Sequence, residues 1–267
     1  MPSNLFKLEG IHRSLFIIHH SKNMRYFAEL AYKGTNYNGW QRQPNAPSVQ
    51  QTIEEAFSRI LSTEISITGC GRTDTGVHAS QYFIHFDFDG EFPKGFQNRI
   101  NKYLPTDIAI YSIDEVAPTV HTRFDATYRA YTYHVVFRKN PFHTESAFYF
   151  PFGKKVDFDL LQKSANLLLE YDEFFPFCKT KSDAKTMICD LKRAEWVWEK
   201  EGEHLVFHIA ADRFLRGMVR LIVGMCLNVA VGKITLEQVK EAMDNQTRLT
   251  KSYSVPPNGL FLSEVRY

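Results

Sequence analysis

From Met24 the chain alternates apolar and polar residues through Arg25, Tyr26, Phe27, Ala28, Glu29, Leu30, Ala31 and Tyr32, the two-residue period of a half-buried strand. Ser48 is placed as a helix cap, and Val49, Ile53, Ala56, Phe57, Ile60 and Leu61 then recur at helical spacing on one face. Apolar runs at 65–70 and 81–88 read as strands, 96–104 as a short amphipathic helix stopped by Pro105, and 108–116 as a further strand. Strand, helix, strand, strand, helix, strand is the order of the split βαβ, ferredoxin-like unit. A second round starts at His121, with Arg129, Tyr131 and Tyr133 on one side of an extended strand. A helix over 158–169, paired strands at 187–199 and 204–211, an apolar helix over 214–231, a short helix and a strand at 259–267 follow.

The expected fold class is therefore α+β. Two ferredoxin-like or RNA-recognition-like halves, 24–120 and 121–267, meet near 117–122 and form a mixed, largely antiparallel sheet with helices on one face. Residues 1–23 show no periodicity and read as a poorly ordered or non-native extension, with Met24 as the functional start.

Composition narrows the partners. The formal net charge is only +2, so any nucleic-acid surface must be a local patch. Two patches qualify: Arg123, Arg129, Arg138 and Lys139 face Asp125 alone within 121–143, and Arg213, Arg216 and Arg220 have no acid among them. Either could equally be a solvated face. Cys70, Cys178, Cys189 and Cys226 form no Cys-x-x-Cys pair, which suits reduced thiols in a cytoplasmic protein. No apolar run nears the roughly 20 residues that span a bilayer, so no membrane segment is expected.

The candidate chemistry lies in two loops. Gly71-Arg72-Thr73-Asp74-Thr75-Gly76-Val77-His78-Ala79 joins two strands, with glycines bracketing an arginine and an aspartate. Upstream, Lys33 to Pro44 is too rich in Gly and Asn for regular structure and carries Trp40, Gln41, Arg42 and Gln43. Those four could stack on a base and bond its edges or phosphates, although a Trp at a strand end more often covers a core. His78 and His85 invite a metal reading, but no third ligand lies at recognisable spacing, and no metal is expected.

These strings resemble the tRNA pseudouridine synthases of the TruA family from Met24 to Tyr267. The likeness rests on Tyr32 to Tyr37 with Gly39 to Gln43, on Ser48-Val49-Gln50, and on Gly71 to Asp74 with Gly76 to Ala79. It continues through Asn101, Leu104-Pro105, Asp107-Ile108, His121, Arg123-Phe124, Ala126, Arg129 and Tyr131. Met218-Val219-Arg220, Ile222-Val223-Gly224, Pro257, Gly259-Leu260 and Leu262 complete it. Glu173 stands where the family usually has an aspartate, a departure that falls just ahead of the stretch from Cys178 to Lys185.

The resemblance implies an isomerase that turns uridine into pseudouridine at positions 38–40 of the tRNA anticodon stem-loop, in a central RNA-binding cleft, as a homodimer. The reaction breaks the N1–C1′ bond and rejoins the base through C5, so no redox cofactor is required. By resemblance Asp74 is the catalytic carboxylate, Arg220 its cationic partner, and Arg72 an arginine that ejects the base or holds phosphate. Tyr131 would stack on the flipped uracil, with Arg42 and Arg129 as further substrate contacts. Whether Asp74 attacks the sugar, attacks the base or removes a proton stays open. Two rivals remain: a non-catalytic RNA-binding protein on the same scaffold, and a nucleoside glycosidase, which would lack an obvious second acid beside Asp74.

Overall fold

The computed structural model describes residues 24–179 and 185–267; the expected extension over 1–23 lies outside them. Alternation holds in β1 (Arg25–Tyr32), where Tyr26, Ala28, Leu30 and Tyr32 are buried. The Ser48 hydroxyl accepts from the Gln51 N–H at 3.3 Å and starts α1 (Val49–Leu61), which buries Val49, Ile53, Ala56 and Phe57. The first round continues through β2 (Thr68–Gly69), β3 (His78–Asp87), α2 (Phe96–Tyr103) and β4 (Ile108–Val116). The second runs β5 (Tyr128–Val136), β6 (Phe148–Tyr149), α3 (Phe158–Leu167), β7 (Leu191–Lys200), β8 (His204–Ala211), α4 (Met218–Ala230), α5 (Leu236–Asp244) and β9 (Leu260–Arg266).

These strands form one sheet in the order β4-β1-β3-β9-β5-β8-β7, with β2 added to β3 and β6 to β5. Pairing is antiparallel except for β3 with β9 and β5 with β6. Each round has the same local order: β4-β1-β3-β2 in the first, β9-β5-β8-β7 in the second. They are joined by a short parallel seam, His78 with Phe261 and Ala79 with Leu262.

Two apolar cores lie under the helices. Ile53 and Phe57 of α1 and Phe96 and Ile100 of α2 pack on Ala28, Leu30, Ile84 and Ile110. Leu161 of α3, Ile222 and Cys226 of α4 and Val239 of α5 pack on Tyr133, Val135, Trp196 and Phe207. Core-facing positions pair across the strands, Leu30 with Tyr82, Ala79 with Leu262, and Tyr133 with Phe207, so both helical layers cover the same face. At the seam β9 serves both cores, Leu262 in the first and Leu260 in the second, and Tyr131 packs against each.

Three of the boundaries that differ from the sequence expectation bear on the site. The strand after the Asp74 loop begins at His78, so His78 and Ala79 belong to β3 rather than to the loop. Ahead of that loop only Thr68–Gly69 pairs, although Ile65 and Ile67 are buried: apolar residues there mark a packed segment, not a regular strand. The apolar helix starts at Met218, because Gly217 takes a left-handed φ of 72° that breaks the helical path from Phe214.

Candidate active site

Between β2 and β3 the chain is held at nearly every residue by its own backbone. Cys70 N–H donates to the Phe83 carbonyl at 2.9 Å, and the Tyr82 hydroxyl donates to the Gly71 carbonyl at 2.5 Å. The Thr73 hydroxyl meets the Tyr32 hydroxyl at 2.8 Å, and the Thr73 carbonyl accepts from the Trp40 N–H at 3.2 Å. Gly76 N–H donates to the Tyr37 carbonyl, and Val77 N–H closes a turn onto the Asp74 carbonyl at 3.1 Å. Asp74 is thus presented by a rigid turn.

The loop from Lys33 to Pro44 is the buttress. A Cβ on Gly34 would lie 2.0 Å from the Val77 carbonyl oxygen, and one on Gly39, at φ 88°, 2.5 Å from the Thr73 carbonyl oxygen. Only glycine permits that approach. Trp40 is buried and stacks on Tyr82 with ring centroids 4.1 Å apart, so it covers the core beneath the Asp74 loop and is not free to stack on a base. His78 fixes the other flank: its Nδ1 accepts from the Gly34 N–H at 2.9 Å, which leaves Nε2 to donate to the Asn258 carbonyl at 3.2 Å. Burial pushes the imidazole pKa down, in keeping with a neutral ring that accepts on one nitrogen and donates on the other.

Two cations reach the carboxylate. Arg220 sits in the first turn of α4 with its side chain mostly buried; Nε donates to the Val255 carbonyl at 2.7 Å and Nη1 stands 3.4 Å from Asp74 Oδ2. Lys179 Nζ stands 3.7 Å from the same oxygen. Among the described residues nothing donates to Oδ1. One carboxylate oxygen is therefore held by positive charge while the other is free to face a substrate.

Tyr131, on β5, is half-buried between the two cores, with the Phe214 ring edge-on at 5.1 Å. Burial first, then the neighbouring Cys70 and, least of all, Asp74, push its hydroxyl pKa up against the opposing Arg129, so the phenol stays neutral across the physiological range. Next to it on the strand, Arg129 is tied into backbone. Nη1 donates to the carbonyls of Ala126 and Asp212, and Nη2 to those of Cys70 and Arg123, at 2.7–3.2 Å. Its guanidinium hydrogens on those nitrogens are committed, and through Cys70 it positions the Asp74 loop.

The other sequence candidates lie at the edge. Arg72 is exposed and makes no hydrogen bond or ion pair with the described residues. Arg42 is also exposed, with Nη1 3.3 Å from Glu54 Oε2. Neither contacts Asp74. Three contributors were missed in the sequence: Lys179, Phe214 and Val255. Lys179 carried a faint signal, since it lies just past the point where the family pattern is disturbed; the backbone carbonyl of Val255 carried none. His85 Nδ1 accepts from the Thr122 N–H at 3.2 Å.

A carboxylate on a backbone-clamped turn, charge-paired from a distant helix and flanked by a neutral aromatic, can serve as a nucleophile, a base or a stabiliser of positive charge. A family model described as tRNA pseudouridine synthase matches residues 28–125 and 170–267. Curated relatives agree. A tRNA pseudouridine synthase A of Bacteroides thetaiotaomicron is 44% identical over 246 residues, covering 91% of this chain and 90% of the relative. One of Parabacteroides distasonis is 42% identical over 247 residues, 91% of this chain and 96% of the relative. A tRNA pseudouridine synthase A 2 of Clostridium perfringens is 35% identical over 239 residues, 89% and 97%. The chain belongs to the tRNA pseudouridine synthase family.

Proposed function

We propose that this chain isomerises uridine to pseudouridine in tRNA, at positions 38–40 of the anticodon stem-loop, with Asp74 as the working carboxylate. The observation that carries the reading is the pairing of Asp74 Oδ2 with Arg220 and Lys179 while Oδ1 stays unengaged. A carboxylate with one oxygen left free among the described residues suits attack on an electron-poor sugar or base, or removal of a proton. The base is detached and rejoined with no change of oxidation state, so the residues need only position it and stabilise charge.

The repeated strand order supports two ferredoxin-like halves, 24–120 and 121–267, and the β3–β9 seam beside Tyr131 and Asp74 is the natural bed of an RNA-binding cleft. A target base inside a stem must be unstacked, at roughly a few kcal/mol. Exposed Arg72 is free to take phosphate or the vacated stack, and the Tyr131 ring offers a face that holds uracil in any orientation as it turns. Arg42 serves as a peripheral phosphate contact, and Arg129 acts through the loop it ties down. The enzyme works in the cytoplasm as a homodimer.

The test is direct. Unmodified tRNA is incubated with the wild type and with Asp74→Asn, and pseudouridine is mapped by nucleotide. The wild type should modify positions 38–40 and the mutant none. A modifying Asp74→Asn protein removes Asp74 from its role, and a wild type without product removes the enzymatic reading.

A further inference from the structure

Far from the Asp74 loop, on the face of the sheet that the helices leave open, three strands bring imidazoles and a carboxylate together. Tyr133 and Val135 point into the core shared with α4, so the intervening His134 points to the opposite face. There His134 Nδ1 lies 3.1 Å from His204 Nε2, and His204 Nδ1 lies 2.9 Å from a Glu199 oxygen. The same Glu199 oxygen is 3.9 Å from His134 Nδ1. The three donor groups lie within 4.8 Å of one another, and His143, from the turn after β5, brings its ring centroid to 5.9 Å from that of His204.

We propose that His134, His204 and Glu199 form a structural site for a divalent transition metal of the zinc class, with His143 near enough to His204 to supply a fourth ligand. Two nitrogens sharing a tetrahedral ion at Zn–N distances near 2.0–2.1 Å sit roughly 3.3 Å apart, with their ring centroids about 5 Å apart. His134 and His204 meet both conditions through His204 Nε2, at 3.1 Å and 5.2 Å; Glu199, which meets that ring at Nδ1, joins the ion by turning its exposed side chain toward His134 Nδ1, 3.9 Å away. Two imidazoles and one carboxylate are a familiar zinc donor set. The partial exposure of the side chains, 25% for His134, 17% for His204 and 59% for Glu199, leaves a path for entry.

The surroundings select the class of ion. Arg138, Lys139, Lys200 and Glu203 line the neighbouring cavity, and two of the three donors are imidazole nitrogens, so a hard cation such as Mg²⁺ or Ca²⁺, which takes oxygen ligands, is poorly served. An ion that takes nitrogen lone pairs is not, because its affinity comes from the imidazoles themselves. Bound there, it would fasten the β7–β8 hairpin to β5. Arg220, the partner of Asp74, sits on α4 over the covered face, so the site stands apart from the chemistry.

Without an ion the same side chains make a hydrogen-bonded relay, from His134 to His204 and on to Glu199, and the experiment must separate the two. Metal-free full-length protein is titrated with Zn²⁺ against a chromophoric chelator, and with Co²⁺ for its visible absorption. One ion per chain, a tetrahedral cobalt spectrum and a raised melting temperature are expected. His204→Ala and Glu199→Gln should each weaken binding by about tenfold or more. Glu199 is exposed, so its conservative variant keeps the fold and the test intact. Full binding in Glu199→Gln and in His134→Ala overturns the proposal, as does binding that vanishes only in a His12, His19 and His20→Ala variant, or no stoichiometric binding at all.

Discussion

Arg220 Nη1 stands 3.4 Å from Asp74 Oδ2, across 146 residues of chain, while its Nε is fixed at 2.7 Å to the Val255 carbonyl. The second bond aims the first. An arginine so mostly buried on an apolar helix is stable only with both partners. Arg220→Met should leave the Asp74 carboxylate without its better-oriented cation and lower single-turnover pseudouridine formation by about a hundredfold or more, on the scale of removing one preorganised electrostatic contact. Arg220→Lys should not restore it, because an ammonium cannot bond Val255 and face Asp74 in the same fork geometry.

Lys179 approaches the same oxygen from 3.7 Å but is about one-third exposed, as is Asp74 itself. Solvent screens such a pair, so Lys179→Ala should cost less than Arg220→Met, about threefold to tenfold in rate. The double variant measures the coupling: the two losses should fail to multiply, since both cations act on Oδ2. Strictly multiplicative rates would mean that they act on different steps.

Gly34 lies where a methyl group would meet the Val77 carbonyl oxygen at 2.0 Å. Gly34→Ala must therefore push the Lys33–Pro44 loop off the Asp74 turn. The expected cost in urea unfolding is about 1–3 kcal/mol. Activity at a temperature where the variant stays folded should fall further than that loss of stability explains, because the turn that presents Asp74 is displaced.

His85 contributes one part of the pH dependence, alongside the similarly depressed His134. The His85 Nδ1 accepts from the Thr122 N–H, and burial, then Arg25 and His121, push its pKa down to about 4, with Asp87 and Asp125 opposing. The unfolded chain holds the proton below about 6.5 while the folded chain does not, so stability rises with pH across this window. It is fully present above about pH 6.5 and is lost as the pH falls toward 4. The slope from this group is at most about 1.4 kcal/mol per pH unit. In His85→Gln, which can accept from Thr122 but does not titrate, urea midpoints measured from pH 4 to 7 should lose that part of the slope.

Much of the molecule was written in short-range pattern. The alternation in β1, the Ser48 cap and the apolar face of α1 are local and appear as read. The order of elements in both rounds follows from the same periodicities. The string around Asp74 marked the candidate site without any structure through its resemblance to the loop of a known family; its glycines and short polar residues by themselves say only that it is a turn. Boundaries slipped where one residue's backbone decided the matter, as Gly217 did at the start of α4.

Adjacency belonged to the tertiary structure. Nothing local says that β9 lies parallel to β3, that Arg129 spends its guanidinium on four carbonyls, or that Lys179 and Arg220 converge on one oxygen of Asp74. Trp40, read from its loop as either a base-stacking ring or a cover for the core, proved to be the cover. The imidazoles of His134 and His204, seventy residues apart, meet only because β5 and β8 pair in one register. Periodicity records which face of an element seeks the core, and that is a property of neighbours in sequence. Which groups meet across the fold depends on how those faces bury one another, and the packing of the entire chain decides that.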